Sequence, residues 1–411
     1  MAWTVRRSTA DDIPDLVRAD WAAFGHHPSD VHIEEARAFL ELDRALVAVD
    51  AGRVVGTAGA ISLELTVPGP ATVAAAGVTY VGVLPTHRRQ GILTALMARV
   101  HDDARSRQEP VAALLAAEAT IYRRFGYGVA VSTSAVEIER ARVAFRCPVD
   151  VAGRVRMLGP EEMARALPPL HDRYRRGQHG EVSRPQAWWA RRLADRESER
   201  GGASARFAVV WDEQSAAEPA GYLTYRVCPR WEDGLPAGIL TVEELIALTP
   251  DARAGLWQYA FGVDLMGVVK AGNVAVDEPL PWMLTDGRRV RVTGSKDFLW
   301  VRLLDVEAAL AARGYATESA LVLQVSDGAA PAAAGRYRLT GGPIGGATCR
   351  RTDRPADLAL DVADLAAAYL GGVRFTTLAR AGLVCELSPG AVDRADALFA
   401  TAPAPYCCTG F

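Results

Sequence analysis

The first third of the chain alternates between the two hydrophobic periods that distinguish helices from strands. A strand predicted at 3–7 is followed by Ser8 and Thr9, either of which is suited to cap a helix. Apolar residues at helical spacing indicate the helix itself, at Ile13, Leu16, Val17, Trp21 and Phe24. The segment therefore predicts a strand followed by a helix.

Three apolar stretches come next and predict strands. The runs 46–49 and 54–65 are rich in branched apolar residues and flank Asp50-Ala51-Gly52, a sequence typical of a hairpin turn. A further strand is expected at 73–83, ending before Pro85. The pattern thus predicts an antiparallel hairpin and a third strand.

The chain then returns to alternating elements. Gly91 precedes a helix whose apolar positions follow the 3.6-residue period, at Leu93, Leu96, Met97, Val100 and Ala104. A short buried strand at 111–115, a brief helix at 121–125 and a strand at 129–138 follow. The predicted order of elements is β-α-β-β-β-α-β-α-β.

Weaker patterns of the same kind cover the rest of the chain. Residues 206–211 and 220–227 predict paired strands, and Thr249-Pro250-Asp251 predicts the start of a helix. From about 291 the chain shows a hairpin-like segment at 337–349 and a helix, with apolar positions at Val362, Leu365, Ala366, Tyr369 and Leu370. An α+β region is expected there.

Composition narrows the class of protein. A length of 411 residues predicts two or three domains, and the 50% hydrophobic residues, 23% charged residues and net charge of -3 are typical of a soluble globular protein. Lys270 and Lys296 are the only lysines, and no basic cluster alternates with aromatic residues, so nucleic-acid binding is excluded. The sequence shows neither a signal peptide nor a long apolar run, so we expect a cytoplasmic protein without a membrane span.

Cysteine and histidine spacing predicts no metal site. The six cysteines show no metal-ligand spacing with histidine or with one another, and the seven histidines form no evident dyad. We expect reduced and mostly buried thiols.

The most specific motif lies at the junction of the third strand and the helix that follows it. It reads Val81-Gly82-Val83-Leu84-Pro85-Thr86-His87-Arg88-Arg89-Gln90-Gly91-Ile92-Leu93. The first turn of a helix has unpaired N–H groups and a partial positive charge, so it can bind a pyrophosphate, and the arginines add charge. The alternative is a solvated basic start of a helix.

In this context the chain resembles the GNAT superfamily of acetyl-CoA-dependent N-acetyltransferases. Their signature is a bulged strand, then Q/R-x-x-G-x-G/A, then a helix, and Arg88, Gly91 and Leu93 occupy those positions. Leu93 departs from the usual small residue, but a leucine is familiar in the enhanced intracellular survival (Eis) branch, which the chain resembles over almost its whole length.

The resemblance implies an α+β fold made of tandem GNAT folds, with mixed central sheets flanked by helices, followed by a sterol-carrier-like α+β domain. The expected domains are a catalytic GNAT domain at 1–148, a central GNAT-like domain without a cofactor motif at 149–290, and a sterol-carrier-like domain at 291–411. The C-terminal arm of the last domain is expected to enter the active site.

The resemblance also implies acetyl-CoA as the acetyl donor, with no metal. The expected acetyl-CoA-binding residues are Val81, Gly82, Val83, Arg88, Arg89, Gln90, Gly91, Ile92, Leu93, Thr94, Ala117 and Glu118. Bulging of the strand around 81–83 is expected to leave a backbone N–H free for the thioester oxygen, and Val83 is the candidate donor.

Two catalytic residues follow from the resemblance. Tyr122, in the segment Ala117-Glu118-Ala119-Thr120-Ile121-Tyr122, stands where the family has the tyrosine that protonates the departing CoA thiolate. Phe411 ends the chain, as an aromatic residue does in relatives, and its carboxylate is expected to take the proton of the amine. The alternatives are an ordinary half-buried aromatic residue and a disordered terminus.

The acceptor is less closely defined. Trp21, Phe24 and Asp30, with Glu34 and Glu35 nearby, fall where the pocket of the family is partly built, and carboxylates near aromatic rings suit a polycationic amine. The alternative is an amphipathic helix followed by a charged surface helix.

Two functions from different classes stay open. One is an amine N-acetyltransferase acting on aminoglycosides, polyamines or lysine-like amines, assembled by resemblance as a homo-hexamer, a trimer of dimers. The other is a noncatalytic protein that binds an apolar ligand or acyl-CoA and carries a vestigial GNAT module.

Overall fold

The computed structural model describes residues 3–69, 71–147, 153–214, 217–343 and 346–411. The domain boundary that the sequence predicts at 148/149 lies outside the described residues. None of the described helices is both long enough and apolar enough to span a bilayer.

The α-helices and strands before residue 148 are β1 (Thr4–Arg7), α1 (Ile13–Ala23), α2 (Asp30–Phe39), β2 (Leu46–Asp50), β3 (Arg53–Val67), β4 (Ala71–Val83), α3 (Ile92–Ser106), β5 (Val111–Leu114), α4 (Ala119–Tyr122) and β6 (Gly128–Glu139). The predicted order is correct except that it omits α2. This helix begins after Ser29, whose backbone N–H donates to His32 Nδ1 at 3.0 Å, and it buries Ile33, Ala36 and Phe39. Its apolar stripe is narrow, since charged residues separate these positions.

The elements of the remaining chain are β7 (Gly153–Met157), α5 (Pro160–Arg175), α6 (Gln186–Ala194), β8 (Phe207–Glu213), β9 (Gly221–Cys228), β10 (Trp231–Glu232), β11 (Leu235–Pro236), β12 (Gly238–Ala247), α7 (Pro250–Gly262), β13 (Met266–Ala275), α8 (Leu280–Met283), β14 (Val290–Leu303), α9 (Val306–Ala312), β15 (Ser319–Ser326), β16 (Gly335–Gly341), β17 (Thr348–Arg351), β18 (Leu358–Asp361), α10 (Val362–Ala368), α11 (Phe375–Arg380), β19 (Val384–Glu386) and α12 (Ala391–Phe399).

Contacts between residues divide the chain into two compact units. Unit 1 contains Met1–Val131, Phe298–Ala402 and Gly410–Phe411, and unit 2 contains Ser132–Asp297 and Pro403–Thr409. The beginning of the chain and most of its last quarter therefore fold together in unit 1.

The first sheet of unit 1 carries the elements that the motif predicted. Its strand order is β1-β2-β3-β4-β5, with β4 and β5 parallel and the other pairs antiparallel, and residues 300–303 of β14 add to β5. The predicted hairpin between β2 and β3 is confirmed, and Ala51 and Gly52 have φ of 47° and 79° in its turn. Helix α3 packs Leu96, Met97 and Val100 into the core over this sheet.

The second sheet of unit 1 lies in the last quarter of the chain. Its order is β17-β16-β15-β18-β19, with β15 and β18 parallel and the other pairs antiparallel. The predicted hairpin of β16 and β17 and the predicted helix α10 are both present. The last helix, α12, begins at Ala391 after Gly390, whose φ of 73° suits glycine.

Unit 2 is built on a sheet of order β6-β13-β12-β9-β8-β7, in which β12 and β13 are parallel. The predicted pairing of β8 with β9 is confirmed, as is the predicted start of α7, where Thr249 Oγ1 accepts from the Ala252 N–H at 3.2 Å. Trp211, Leu256 and Trp257 lie in its buried core.

The prediction of mostly buried cysteines is wrong. Cys349 and Cys407 are buried and Cys408 is half-buried, while Cys147, Cys228 and Cys385 are exposed. All six thiols are free, as expected.

A buried arginine fixes the turn between α4 and β6 in unit 1. Arg302 has no exposed surface, and its guanidinium donates to the Phe125 carbonyl and, at 2.9 Å, to Asp327 Oδ2. Gly126, with φ of 80°, leaves the space that the guanidinium occupies, because a Cβ there would collide with Arg302. On the same turn, Arg123 donates two 2.8 Å hydrogen bonds to the carboxylate of Asp364. The turn is therefore held by the last quarter of the chain.

We predict that Arg302→Met destabilises the protein by about 3–5 kcal/mol, because Asp327 would keep a buried charge without its partner. Chemical denaturation measures the change. Arg7→Met is the control, since the Arg7 side chain is 65% exposed, and we expect a change below about 0.5 kcal/mol there. Adding Asp327→Asn to Arg302→Met should restore part of the lost stability. Equal stability of Arg302→Met and Arg7→Met would contradict the prediction.

Candidate active site

Strand β4 contains a β-bulge near its end. Thr57 opposes Gly82 and Gly59 opposes Thr79, so that two residues of β4, Tyr80 and Val81, face one residue of β3. The φ of Tyr80 is 51°. The sequence predicted bulging around 81–83, and the structure places it at 80–81.

The register past the bulge decides which N–H groups of β4 are available. Leu84 N–H donates to the Val55 carbonyl at 2.9 Å. Hydrogen-bonded and non-hydrogen-bonded pairs alternate in antiparallel sheets, so the next opposed pair, Val83 with Gly56, is a non-hydrogen-bonded one. The Val83 N–H is thus directed away from β3, on the side where β5 pairs only with residues 75–77.

The turn between β4 and α3 has the geometry of an anion site. Arg89 and Gly91 both have left-handed backbone, with φ of 60° and 85°, and the 15-residue α3 begins at Ile92. No side chain of the described residues caps α3, which leaves the first-turn N–H groups of 92–94 without helical partners. Such N–H groups and the helix dipole favour a phosphate.

The predicted acetyl-CoA-binding residues of this turn differ in exposure. Arg88, Arg89, Gln90, Gly91 and Thr94 are exposed, Leu93 is half-buried, and Ile92 is buried in the core over the sheet. Ile92 can therefore offer its N–H but not its side chain. Arg88 Nη2 donates to the Ala23 carbonyl at 3.0 Å and ties the turn to the end of α1.

Tyr122 ends α4 and is buried. Its ring packs edge-on against Tyr127 with centroids 6.0 Å apart, and the Tyr127 hydroxyl lies 3.0 Å from His101 Nε2. Burial, together with the negative charges of Asp20 and Glu118, raises the pKa of Tyr122 to about 12. Glu118 and its neighbour Ala117, both predicted to bind acetyl-CoA, are exposed just before α4.

Asp20 is a residue of this site that the sequence analysis missed. It lies on α1, is 8% exposed, and its Oδ1 is buried without a hydrogen-bond partner among the described residues. A Cβ on Gly82 would lie 3.1 Å from that oxygen, so the carboxyl group packs directly on β4 after the bulge. Burial raises the pKa of Asp20 to about 7.

A signal for Asp20 is present in the sequence. Ile13, Leu16 and Val17 lie on the buried face of α1, and position 20 continues the same spacing. Burying a carboxylate on the apolar face of a helix costs folding free energy unless the carboxylate has a partner. Asp20 is therefore a candidate functional residue.

The predicted acceptor residues lie on α1, on α2 and between them. Trp21 is half-buried and its ring lies 4.4 Å, centroid to centroid, from that of His32. Phe24, directly after α1, is 51% exposed, and Asp30 is exposed at the start of α2.

The C-terminal arm is ordered by contacts within unit 2. Glu181 accepts hydrogen bonds from the Cys408 N–H at 2.7 Å and from the Thr409 hydroxyl, and Arg184 Nε donates to Thr409 Oγ1 at 2.8 Å. The last two residues, Gly410 and Phe411, group with unit 1, which also contains Tyr122. Phe411 is half-buried there.

One trio in this anchor has the atom types of a metal site. Ligand atoms of His171, Glu181 and Cys408 lie within 4.8 Å of one another. Arg184 Nη2 lies 3.3 Å from Cys408 Sγ and brings a positive charge to the same place. A cation would be repelled by this guanidinium, so the trio serves to hold the arm.

Three family models match the chain. Residues 4–130 and 180–303 each match an acetyltransferase (GNAT) domain, and residues 306–408 match a sterol carrier protein domain. The fold is therefore two GNAT domains followed by a sterol-carrier-like domain, as predicted. The predicted bounds 1–148, 149–290 and 291–411 stay predictions.

Similar proteins cover the whole chain. An uncharacterised N-acetyltransferase of Streptomyces avermitilis is 42% identical over 372 residues, which is 90% of each chain. The N-acetyltransferase Eis of Mycobacterium tuberculosis strain H37Ra is 35% identical over 412 residues, which is 98% of each chain. The crystal structure of Eis1 from Mycobacterium abscessus is 37% identical, has a TM-score of 0.86 and covers 100% of both chains.

The GNAT domains and the relatives define an acetyl-CoA-dependent N-acetyltransferase of the GNAT superfamily. Identity over nearly the full length then gives the family: the chain belongs to the Eis family of N-acetyltransferases.

The raised pKa of Asp20 predicts a pH-dependent stability. The folded state holds the proton to a pH of about 7 and an unfolded aspartate only to about 3.9, so stability falls as pH rises between these values. Asp20→Asn removes this loss. The variant should gain about 2–4 kcal/mol relative to the wild type on going from pH 4 to pH 8, as measured by denaturation at both pH values. A constant difference between the two proteins would contradict the burial of an ionisable carboxyl group.

Proposed function

We propose that this protein transfers acetyl from acetyl-CoA to a primary amine of a small polyamine-type acceptor, with aminoglycosides as the first class to test, and that the amine attacks the thioester directly. One observation carries the proposal. In unit 1 a bulged strand with a free N–H, an uncapped helix start and the buried Tyr122 occur together.

The donor binds through the turn before α3. The N–H groups of 92–94 face the pyrophosphate, and the exposed guanidinium groups of Arg88 and Arg89 add positive charge. Val81, Gly82 and Val83 run beside the acyl arm, where only glycine at 82 leaves space for Asp20.

Attack of the amine moves negative charge onto the thioester oxygen. The Val83 N–H, which is directed away from β3, is placed to donate to that oxygen as the charge develops. When the carbon–sulfur bond breaks, CoA leaves as a thiolate and takes the proton of the Tyr122 hydroxyl.

The acidity of Tyr122 sets a condition on this step. A phenol with a pKa of about 12 is a weaker acid than a thiol in water, whose pKa is about 8.5, so the transfer would be uphill by about 5 kcal/mol. The site must raise the basicity of the thiolate or strengthen the acid. Exclusion of water does the first, because desolvation raises the pKa of a thiol.

The carboxylate of Phe411 acts as the general base during the attack. An α-carboxylate has a pKa of about 3.5 and an alkylammonium one of about 10.4, so the terminus is too weak a base to deprotonate the ammonium alone. It removes a proton from the nitrogen once the nitrogen begins to bond, because the nitrogen then becomes much more acidic.

The acceptor lies toward α1 and α2. Trp21 and Phe24 offer rings for the apolar and cationic parts of the acceptor, and Asp30, with Glu34 and Glu35 on α2, offers negative charge. Assembly as a homo-hexamer and a role in antibiotic resistance belong to the same proposal and rest on the resemblance alone. A cytoplasmic location is proposed with them.

The match to a sterol carrier protein domain favours a second candidate, a noncatalytic protein that binds an apolar ligand or acyl-CoA. Release of CoA thiol decides between the two. A lipid extracted from a protein that releases no thiol with any amine would support the second candidate.

The first experiment measures thiol release from acetyl-CoA over a panel of aminoglycosides and simple amines. It compares the native chain with one extended by a few residues after Phe411. Extension moves the carboxylate and keeps every side chain, so we expect the extended form to bind acetyl-CoA and to lose at least about 100-fold in kcat. Equal activity of both forms would be consistent with the transferase function but would contradict the role of the Phe411 carboxylate as general base.

Tyr122→Phe tests the general acid. We expect kcat to fall by about 100-fold or more, with the KM for acetyl-CoA nearly unchanged, because the ring stays and only the proton donor is lost. Tyr127→Phe is the matched control, since Tyr127 is fully buried and bonded to His101. A Tyr122→Phe variant as active as Tyr127→Phe would end the assignment.

A further inference from the structure

Two buried ion pairs of unit 1 contrast with Asp20, one of whose carboxyl oxygens has no hydrogen-bond partner among the described residues. Arg44 donates to Glu109 Oε1 and Oε2 at 2.7 and 2.5 Å, and Arg302 donates to Asp327. The Oδ1 of Asp20 is buried to the same degree and has no hydrogen-bond partner among the described residues. A buried polar atom without a partner destabilises the fold, so its position indicates a functional role.

The place of Asp20 in unit 1 points to that function. Its carboxyl group packs on Gly82, two residues after the start of the bulge and beside Val83, the proposed donor to the thioester oxygen. Its charge also acts on Tyr122. Asp20 therefore lies next to the proposed donor to the thioester oxygen, and its charge acts on the proposed acid for the leaving sulfur.

The reaction needs a second proton acceptor. An alkylammonium must lose two protons to become an amide nitrogen: one before it attacks and one as the new bond forms. One of the two ends on the CoA sulfur and the other in solvent. The terminal carboxylate of Phe411 accounts for the second removal only.

We infer that Asp20 binds the ammonium group of the acceptor and takes its first proton, which frees the nitrogen lone pair for attack. The proton passes from nitrogen to the Asp20 carboxylate and later to solvent, and no bond other than N–H and O–H changes in this step. The inference rests on the proposed function and adds a catalytic residue to it.

The surroundings of Asp20 fit a proton acceptor. With a pKa of about 7, Asp20 lies about 3.4 pKa units below an alkylammonium, about half the gap of an α-carboxylate. Neutralising Asp20 also removes a charge that raises the pKa of Tyr122, so taking the amine proton makes Tyr122 a stronger acid for the thiolate.

Charged and titratable groups of three neighbouring elements lie close to this part of α1. Asp20 and Glu118 both act on Tyr122 of α4, Arg88 of the turn before α3 donates to the Ala23 carbonyl, and His32 of α2 packs on the ring of Trp21, the residue after Asp20. Burial is the cause of the raised pKa of Asp20.

The test is the pH profile of kcat/KM for the best acceptor in the panel, measured for the wild type, Asp20→Asn and Asp15→Asn. Asp15 is the matched control because it lies on the same helix and its side chain is 66% exposed. In the wild type kcat/KM should rise as pH passes through about 7 and then level off. In Asp20→Asn it should be at least about 100-fold lower near pH 7.5 and keep rising with pH, since the variant must select the rare free amine.

Other readouts separate a catalytic role from a structural one. In Asp20→Asn the KM for acetyl-CoA should not rise and the unfolding midpoint at pH 7.5 should not fall, which would show that the variant is folded and binds the donor. A profile of Asp20→Asn that coincides with that of Asp15→Asn overturns the role of Asp20 and leaves the transferase intact. A wild type that releases no thiol with any amine overturns the proposed function and this inference together.

Discussion

The position of Tyr122 depends on a buried guanidinium. Arg302 donates to the Phe125 carbonyl, fills the space beside Gly126 and is neutralised by Asp327. Losing any of these would leave a charge or a carbonyl buried without a partner, so the turn has one favourable arrangement. Arg302 lies in the region that matches the second GNAT domain and Asp327 in the region that matches a sterol carrier protein domain, so both regions support a residue of the first GNAT domain.

The chemistry of the site depends on two buried ionisable side chains, Asp20 and Tyr122, which form no ion pair with an arginine or lysine among the described residues. Asp20 and Tyr122 both have raised pKa values because they are buried, and the charge of Asp20 further raises the pKa of Tyr122. In the ion pairs Arg44–Glu109 and Arg302–Asp327, by contrast, the same unit places opposite charges together. This contrast favours the proposal that the ammonium group of a bound acceptor is the partner of the Asp20 carboxylate.

The C-terminal arm is held by side chains of unit 2 up to Thr409, and the residue proposed as the base follows this anchored part. Glu181, Arg184 and Asn273 bind the backbone and side chains of the arm inside unit 2, and Asn273 Nδ2 reaches the Cys407 carbonyl at 3.3 Å. These bonds hold the arm as far as Thr409, two residues before the terminal carboxylate. Because the arm is ordered up to Thr409, positioning the carboxylate of Phe411 at the acceptor costs little further conformational entropy. This low cost favours the proposed role of the carboxylate as a base.

The sequence alone determined the local elements and located the turn that is proposed to bind the donor, because both depend on short-range order. The hairpin at Ala51-Gly52, the helix start at Gly91 and the position of Tyr122 after β5 follow from periodicity, turn residues and a motif within a few residues of chain. Helix α2 was missed because charged residues break up its apolar stripe, and the bulge was placed one residue late because register depends on the partner strand. Position 20 continues the apolar spacing of α1, but only the tertiary structure decided that Asp20 Oδ1 lies next to Gly82 and has no hydrogen-bond partner among the described residues, since both depend on residues that lie far along the chain.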